Sequence, residues 1–327
     1  MKEQLRRYSF ILMITLIGLP ACAQGFSGDY NGGFIPDFQK LDRSVNFLAF
    51  GNWGRNGEMH QREVAAQMAR AVMTVDAGFI LALGNNFYPS GVNSTADPLW
   101  KYSFENIYDH FALQTDWYVA LGNYDYKSHP EAEIAYSKLS RRWHMPSPYY
   151  AKKFAIDGDS TAEVLLVVID TNPFVKAYYE DPGYAANVAV QDTSKQKEWL
   201  RKTLSDTSAS IRWRIVAGHH PLYAAGQGED NYTKDMQQAL EPVFKQYHVD
   251  AYLCAHEHTL CISHPTDGVL QVISGTGAEA RRALPLTDSL FAAFQPGFMA
   301  FSLSKDAMLI QAVDLTGKVL YKTTLKK

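Results

Sequence analysis

The chain has 327 residues, 46% hydrophobic and 20% charged, with a formal charge of -3. Such a balance supports a full buried core, as one large domain or two small ones. With no long lysine or arginine run, it gives no electrostatic ground for nucleic acid as a partner.

The first 21 residues combine a basic start (Lys2, Arg6, Arg7), an apolar run from Tyr8 to Leu19 and a small-residue exit. This is the pattern of an export signal, and the run is shorter than the roughly 20 apolar residues that cross a bilayer. Two exits are open: "LPAC" resembles a bacterial lipobox with Cys22 as the lipid-bearing mature N-terminus, and Ala21 with Ala23 offers an ordinary cleavage site. The lipid anchor on Cys22, which is the reading preferred, would be the only tie to a membrane. Residues 22–44 are rich in Gly and Asp without a period and read as a tether, so the folded domain is expected from Val45 to the C-terminus.

From Val45, short β-rich runs alternate with helical patterns. "VNFLAF" precedes a helix over Gln61–Val75, "FILAL" one over Leu99–His110, and "WYVAL" one over Glu131–Trp143. "AEVLLVVIDT" is apolar throughout, as a strand covered on both faces would be, and leads to a helix over Asp192–Leu204. "WRIVAG", a helix over Tyr232–Tyr247 and "DAYLCA" repeat the unit. The alternation predicts an α/β fold with a largely parallel core sheet. The last four runs, "GVLQVISG", "GFMAFSLS", "AMLIQAVDL" and "KVLYKTTL", are joined by turns and predict a second, more antiparallel sheet. Cys254 and Cys261 are the only cysteines left after processing; they read as small buried apolar groups, with a disulfide as the alternative in an exported protein.

Five strands end in polar clusters: "AFGNWG", "ALGNNFY", "ALGNYDY", "VAGHHPLY" and "CAHEHTL". In a parallel sheet these ends share one rim, where α/β proteins place their sites. One such Asn or His is usually a turn or capping residue. Five together gather Asn52, Asn85, Tyr88, Asn123, His219, His220, His256 and His258, with the two histidines of "HEH" able to face one ion.

The order and spacing of these blocks resemble the calcineurin-like metallophosphoesterases, and within them the small purple acid phosphatases of the tartrate-resistant type. The resemblance runs from about Val45 to the C-terminus and implies an αββα four-layer sandwich of two mixed sheets flanked by helices. It also implies a centre of ferric iron with a second metal, held by motifs of the form GDWG, GDNFY, GNHD, GHxP and GHDH. Carried over by position, Tyr88 and His258 would ligate the iron, and Asn123, His219 and His256 the second metal. The departures are Asn52 for an iron-ligating Asp, Asn85 for the bridging Asp, and Tyr124 for the histidine that meets the phosphate ester and offers a proton to the leaving group. Ala255 for Gly and Glu257 for Asp fall outside the ligand set.

Two divalent ions about 4 Å apart repel by on the order of 20 kcal/mol at an effective dielectric of about 20. Ligand charge that normally offsets this falls from three to at most one, on Tyr88. One divalent ion (Zn, Fe or Mn) on Asn123, His219 and His256 is the metal load these residues still suit. Phosphate or a phosphomonoester is the expected ligand. A tyrosine, with an ordinary pKa near 10, is a poor acid in place of histidine, and His220, His129 and His144 are the remaining candidate proton donors. Three functions stand against one another: an exported phosphatase relative that is catalytically impaired, a working phosphoesterase with altered metals, and a surface binding protein of unknown partner using the tyrosines of "VKAYYEDPGYAANV".

Overall fold

Nineteen β-strands and α-helices, labelled here in chain order, build two seven-stranded sheets in the computed structural model, which describes residues 33–224, 231–282 and 288–327. The first sheet holds β1 (Val45–Phe50), β2 (Phe79–Ala82), β3 (Asp116–Val119) and β4 (Trp143–His144), all parallel, and continues on the far side of β1 with β12 (Gly297–Leu303), β13 (Ala307–Asp314) and β14 (Val319–Lys326). The second runs β11-β9-β10-β8-β7-β6-β5, from β5 (Tyr150–Ile156), β6 (Asp159–Val168), β7 (Ile211–Ala217), β8 (Ala251–Cys254), β9 (Leu260–Ser263), β10 (Gln271–Ser274) and β11 (Ser289–Ala293). The helices are α1 (Gln61–Val75), α2 (Pro130–Tyr136), α3 (Ala185–Val188), α4 (Thr193–Leu204) and α5 (Asn231–Gln246). Each sheet is mixed: in the first the parallel strands β1 to β4 fill one side and the antiparallel β12 to β14 the other, in the second the parallel β6, β7, β8 and β10 are central, and the expected sandwich is present.

Sequence periodicity decides which face each strand buries. In β6, Val164, Leu166 and Val168 point into the larger core, shared by the two sheets, while Leu165 and Val167 belong to a second core with Leu200 of α4 and Phe244 of α5. That two-sided burial is why the run carries no polar alternation. α1 keeps apolar residues at 64, 65, 68, 69, 72 and 75 on its buried face and stops at Asp76, whose left-handed φ of 52° returns its N–H to Val72 O. Asp192 caps α4, its side chain accepting from the N–H groups of Ser194 and Lys195.

Four expectations change. The C-terminal strands make no separate antiparallel sheet: β12 pairs antiparallel with β1, and β13 and β14 extend that first sheet, because the outer edge of β1 is open and apolar until they fill it. The helix expected over Leu99–His110 is one wide turn, Trp100–Glu105, where Trp100 stacks on Tyr136 with ring centres 3.5 Å apart. The helix expected to reach Trp143 ends at Tyr136, since Trp143 pairs with Trp117 as strand β4 inside an aromatic cluster. Residues 34–44, read as the end of the tether, lie on the domain: Ile35 and Phe38 are buried, and Gln39 exchanges two hydrogen bonds with the Gln311 side chain. Residues 34–327 form one compact unit. The export signal and Cys22 lie outside the described residues. Cys254 and Cys261 are buried free thiols.

Candidate functional site

All five polar clusters lie beyond the C-terminal ends of parallel strands, β1, β2, β3, β7 and β8. Trp53, fully buried and edge-on to Phe87, Tyr108 and Trp117, anchors the first loop from beneath. Asn52, Asn85 and His256 take left-handed backbone, φ 56°, 54° and 59°, which asparagine tolerates better than most residues. The loops approach so closely that Gly84, at φ 88°, has no room for a side chain: a Cβ would stand 2.6 Å from Gly122 N and 2.7 Å from His219 Nδ1.

The first half of the site is a closed hydrogen-bond ring of neutral groups. Asn85 Nδ2 donates to Asn52 Oδ1 at 2.9 Å and to Tyr88 OH at 3.1 Å, and Tyr88 OH lies 3.4 Å from the same Asn52 oxygen. Asn52 Nδ2 donates to Gly275 O at 2.9 Å, and Asn85 Oδ1 accepts from Tyr124 N at 2.8 Å. Burial holds the Tyr88 phenol well above its ordinary pKa, against the pull of Arg55, whose guanidinium lies 3.4 Å over the ring. A ferric or second divalent ion here would meet at most one anionic ligand, a Tyr88 phenolate, and would have to break the amide pair. These residues do not fit a dinuclear centre.

The second half differs. His219 Nδ1 is 2.7 Å from Leu83 O and so must carry the proton there, which turns a lone pair at Nε2 towards Asn123 Oδ1 at 3.1 Å and His256 Nδ1 at 3.3 Å. In one tautomer His256 donates to that lone pair; in the other, three acceptors converge as a single divalent ion requires. The donor set fits one ion. Among the described residues no three His, Cys, Asp or Glu side chains form a metal cluster, since the third donor here is an amide. Burial keeps His219 neutral and lowers His256 and His258 to about 4. His258 stands on the Arg55 side, Nδ1 3.1 Å from Glu279 O.

The candidate proton donors separate. His220 is buried with both ring nitrogens engaged, Nδ1 by Thr171 Oγ1 at 2.8 Å and Nε2 by Tyr178 OH at 2.9 Å, so it braces loops and has no free nitrogen for a substrate. His144 pairs with Asp116 at the opposite end of β3, and His129 is exposed at the start of α2. Tyr124 alone stands beside the site, its ring 4.4 Å from that of Tyr88. Of the tyrosines in "VKAYYEDPGYAANV", Tyr178 and Tyr184 stack on each other and Tyr184 OH accepts from Asn123 Nδ2 at 3.3 Å; they line the site and are packed, and only Tyr179 is exposed.

Two acids that sequence reasoning passed over hold the loops in place. Asp125 accepts N–H bonds from Asn86, Phe87 and Gly122 at 2.8 to 3.2 Å, tying the second loop to the third. Behind it Glu133 accepts from Asn86 Nδ2 at 2.9 Å. Burial raises both carboxyls, Asp125 to about 7 and Glu133 well above its usual range with the Asp125 charge adding to it. The three N–H donors favour charge on Asp125, so the proton of the pair sits on Glu133. A carboxyl raised on folding binds more protons folded than unfolded, so its contribution to stability is full below pH 4 and is lost as pH rises. Glu133→Gln keeps the shape without the titration. The wild type is expected to lose stability relative to this variant by about 1.4 kcal/mol per pH unit above pH 5; parallel denaturation midpoints at pH 5 and pH 7.5 would refute the assignment.

The profile of the calcineurin-like phosphoesterases matches residues 32–260. The chain belongs to that family. Purple acid phosphatase 17 of Arabidopsis thaliana is 33% identical over 301 residues, 88% of this chain and 86% of the relative, and tartrate-resistant acid phosphatase type 5 of Mus musculus is 34% identical over 312 residues, 87% and 91%. A solved structure described as GAP50, the anchor in the inner membrane complex of Plasmodium, superposes with a TM-score of 0.73 at 22% identity, covering 86% of this chain and 89% of that one. The scaffold is therefore that of a purple acid phosphatase-like phosphoesterase, in which a metal centre is the family's usual cofactor. Among the described residues no helix is long and apolar enough to cross a membrane.

Proposed function

We propose that this chain is an exported purple acid phosphatase relative whose dinuclear centre has been replaced by a hydrogen-bonded amide cluster, leaving a phosphoester-binding protein with little or no hydrolytic turnover. The observation that carries this reading is the 2.9 Å bond from Asn85 to Asn52. Two aspartates at those positions would need a cation between them; two asparagines bond each other directly. Tyr124 stands in the place of the ester-contacting histidine, and His220 is engaged on both sides.

One divalent ion on Asn123, His219 and His256 is compatible with this reading, and when bound it would supply Lewis-acid polarisation of a phosphoryl oxygen. His219 is held in the required tautomer by Leu83 O whether or not an ion is present. Export rests on the N-terminal pattern of basic, apolar and small residues, with Cys22 as the lipid-bearing terminus; mass spectrometry of the mature N-terminus decides between that and cleavage near Ala23.

The test is turnover of 4-nitrophenyl phosphate between pH 4 and 8, with elemental analysis of the same preparation. Expected are a rate constant below about 0.01 s⁻¹, against the roughly 1 to 10³ s⁻¹ usual for enzymes, and at most one metal per chain, lost in His256→Ala. Turnover in the usual range, abolished by a chelator and accompanied by two metals, would overturn the reading.

A further inference from the structure

The cations nearest the site belong to side chains. The Arg55 guanidinium lies flat over Tyr88 at 3.4 Å, and Lys127 Nζ sits 4.0 Å over the ring of Tyr124 and 5.5 Å over that of Tyr184. Tyr88 and Tyr124 are themselves 4.4 Å apart, so the two cations flank one pair of rings. Arg281 joins from the loop after β10, its guanidinium bonded to Glu279 at 3.2 Å and its backbone N–H donating to His258 O at 2.9 Å. Glu279 is shared with Arg55, whose Nη2 it meets at 3.0 Å. Two of the three cations thus share one carboxylate, and Lys127 stands on the Tyr124 side. Arg55 Nε is also buried and has no acceptor among the described residues, and a buried N–H left unpaired costs free energy that an incoming acceptor would recover.

Arginine offers planar, paired donors matched to phosphate oxygens, and lysine adds a mobile point charge. The tilted pair Tyr88 and Tyr124 stands between the two long side chains and leaves an aromatic wall beside them. We propose that Arg55, Arg281 and Lys127, arrayed around Tyr88 and Tyr124, form an anion subsite that takes a phosphate dianion without any metal. This rests on the reading of the site as an amide cluster: with two metal charges gone, side-chain cations carry the attraction for the ligand. The occupant is a free phosphate or the phosphoryl group of a phosphomonoester, whose organic part would lie against the half-buried Tyr124.

The experiment is calorimetric titration of chelator-treated protein with inorganic phosphate and with phenyl phosphate, at 50 and at 500 mM NaCl. Binding is expected to survive chelation and to weaken with salt, as exposed charge pairs do. Arg281→Gln and Lys127→Gln, both at exposed positions, should each lower affinity about tenfold with an unchanged melting temperature. Arg55→Lys, which keeps charge but loses the planar donors, should lower it too. Phenyl phosphate binding at least tenfold tighter would assign a phosphomonoester, and equal affinities free phosphate; both support the subsite. Binding that appears only on adding zinc would place the anion on an ion at Asn123, His219 and His256 and overturn the proposal. So would a folded, chelator-treated protein that binds neither probe, or one whose affinity ignores the charge variants. Low turnover and at most one metal per chain would stand whichever way the charge variants and the salt dependence fall, so the subsite can fail while the reading of the amide cluster holds.

Discussion

Replacing Asn85 by aspartate is expected to destabilise the protein by about 3 kcal/mol in metal-free buffer, although the two side chains have nearly the same shape. The new carboxylate would be buried and would turn an acceptor, in place of a donor, towards Asn52 Oδ1 at 2.9 Å. Tyr88 OH can rotate to donate to it, and Tyr124 N already does so, which keeps the cost below that of an isolated buried charge. Adding Asn52→Asp makes the metal-free form worse, with two carboxylates competing for the same space, and the metal-loaded form better. For the double variant the prediction is therefore a large rise in melting temperature on adding a divalent ion. Saturation at a hundred times Kd contributes about 2.7 kcal/mol, and metal content should increase by elemental analysis. A double variant as stable as wild type without metal, and indifferent to metal, would mean that these two positions are not the old ligand positions.

Asp125→Ala should cost about 3 to 5 kcal/mol, because it strands the N–H groups of Asn86, Phe87 and Gly122 in the interior. The loss would be felt at the site, since those bonds fix the second and third loops and with them Asn85 and Asn123. Asp125→Asn is the control. It keeps an oxygen for Asn86 and Phe87 and opposes an N–H only to Gly122, so it should lose about a third as much. Denaturant midpoints of the two variants check this; equal losses would show that the charge matters and the N–H bonds do not.

Much of this site was legible in the sequence because each polar cluster directly follows an apolar run, and a parallel sheet forces such ends together. Asn52, Asn85, Tyr88, Asn123, His219 and His256 are placed by that rule, and Tyr124 by the family resemblance. What the sequence hid was direction. His220 is adjacent to His219, yet successive residues turn opposite ways, and one faces Asn123 while the other is spent on Thr171 and Tyr178. Asp125 and Glu133 look like ordinary surface acids until the loops fold over them, and nothing local marks Arg55 as the cation over Tyr88. The misplaced helices share one cause: Trp100 and Trp143 sit where helical spacing would continue, but each is claimed by an aromatic cluster that closes only in three dimensions. The order of the last strands was hidden because turns between them say nothing about which older strand they join.

That joining has a consequence for how the molecule comes into being. β1, among the earliest structured residues to be synthesised, pairs on one side with β2 and on the other with β12, Val45 lying opposite Leu303. The loop it carries is stitched to equally distant chain: Gly51 N to Ser274 O, Gly277 N to Gly51 O and Asn52 Nδ2 to Gly275 O. An emerging chain therefore holds an apolar strand with a bare edge until some 250 further residues have followed. Fragments that stop short of β12, even those that include every residue of the site, would expose this edge and clump.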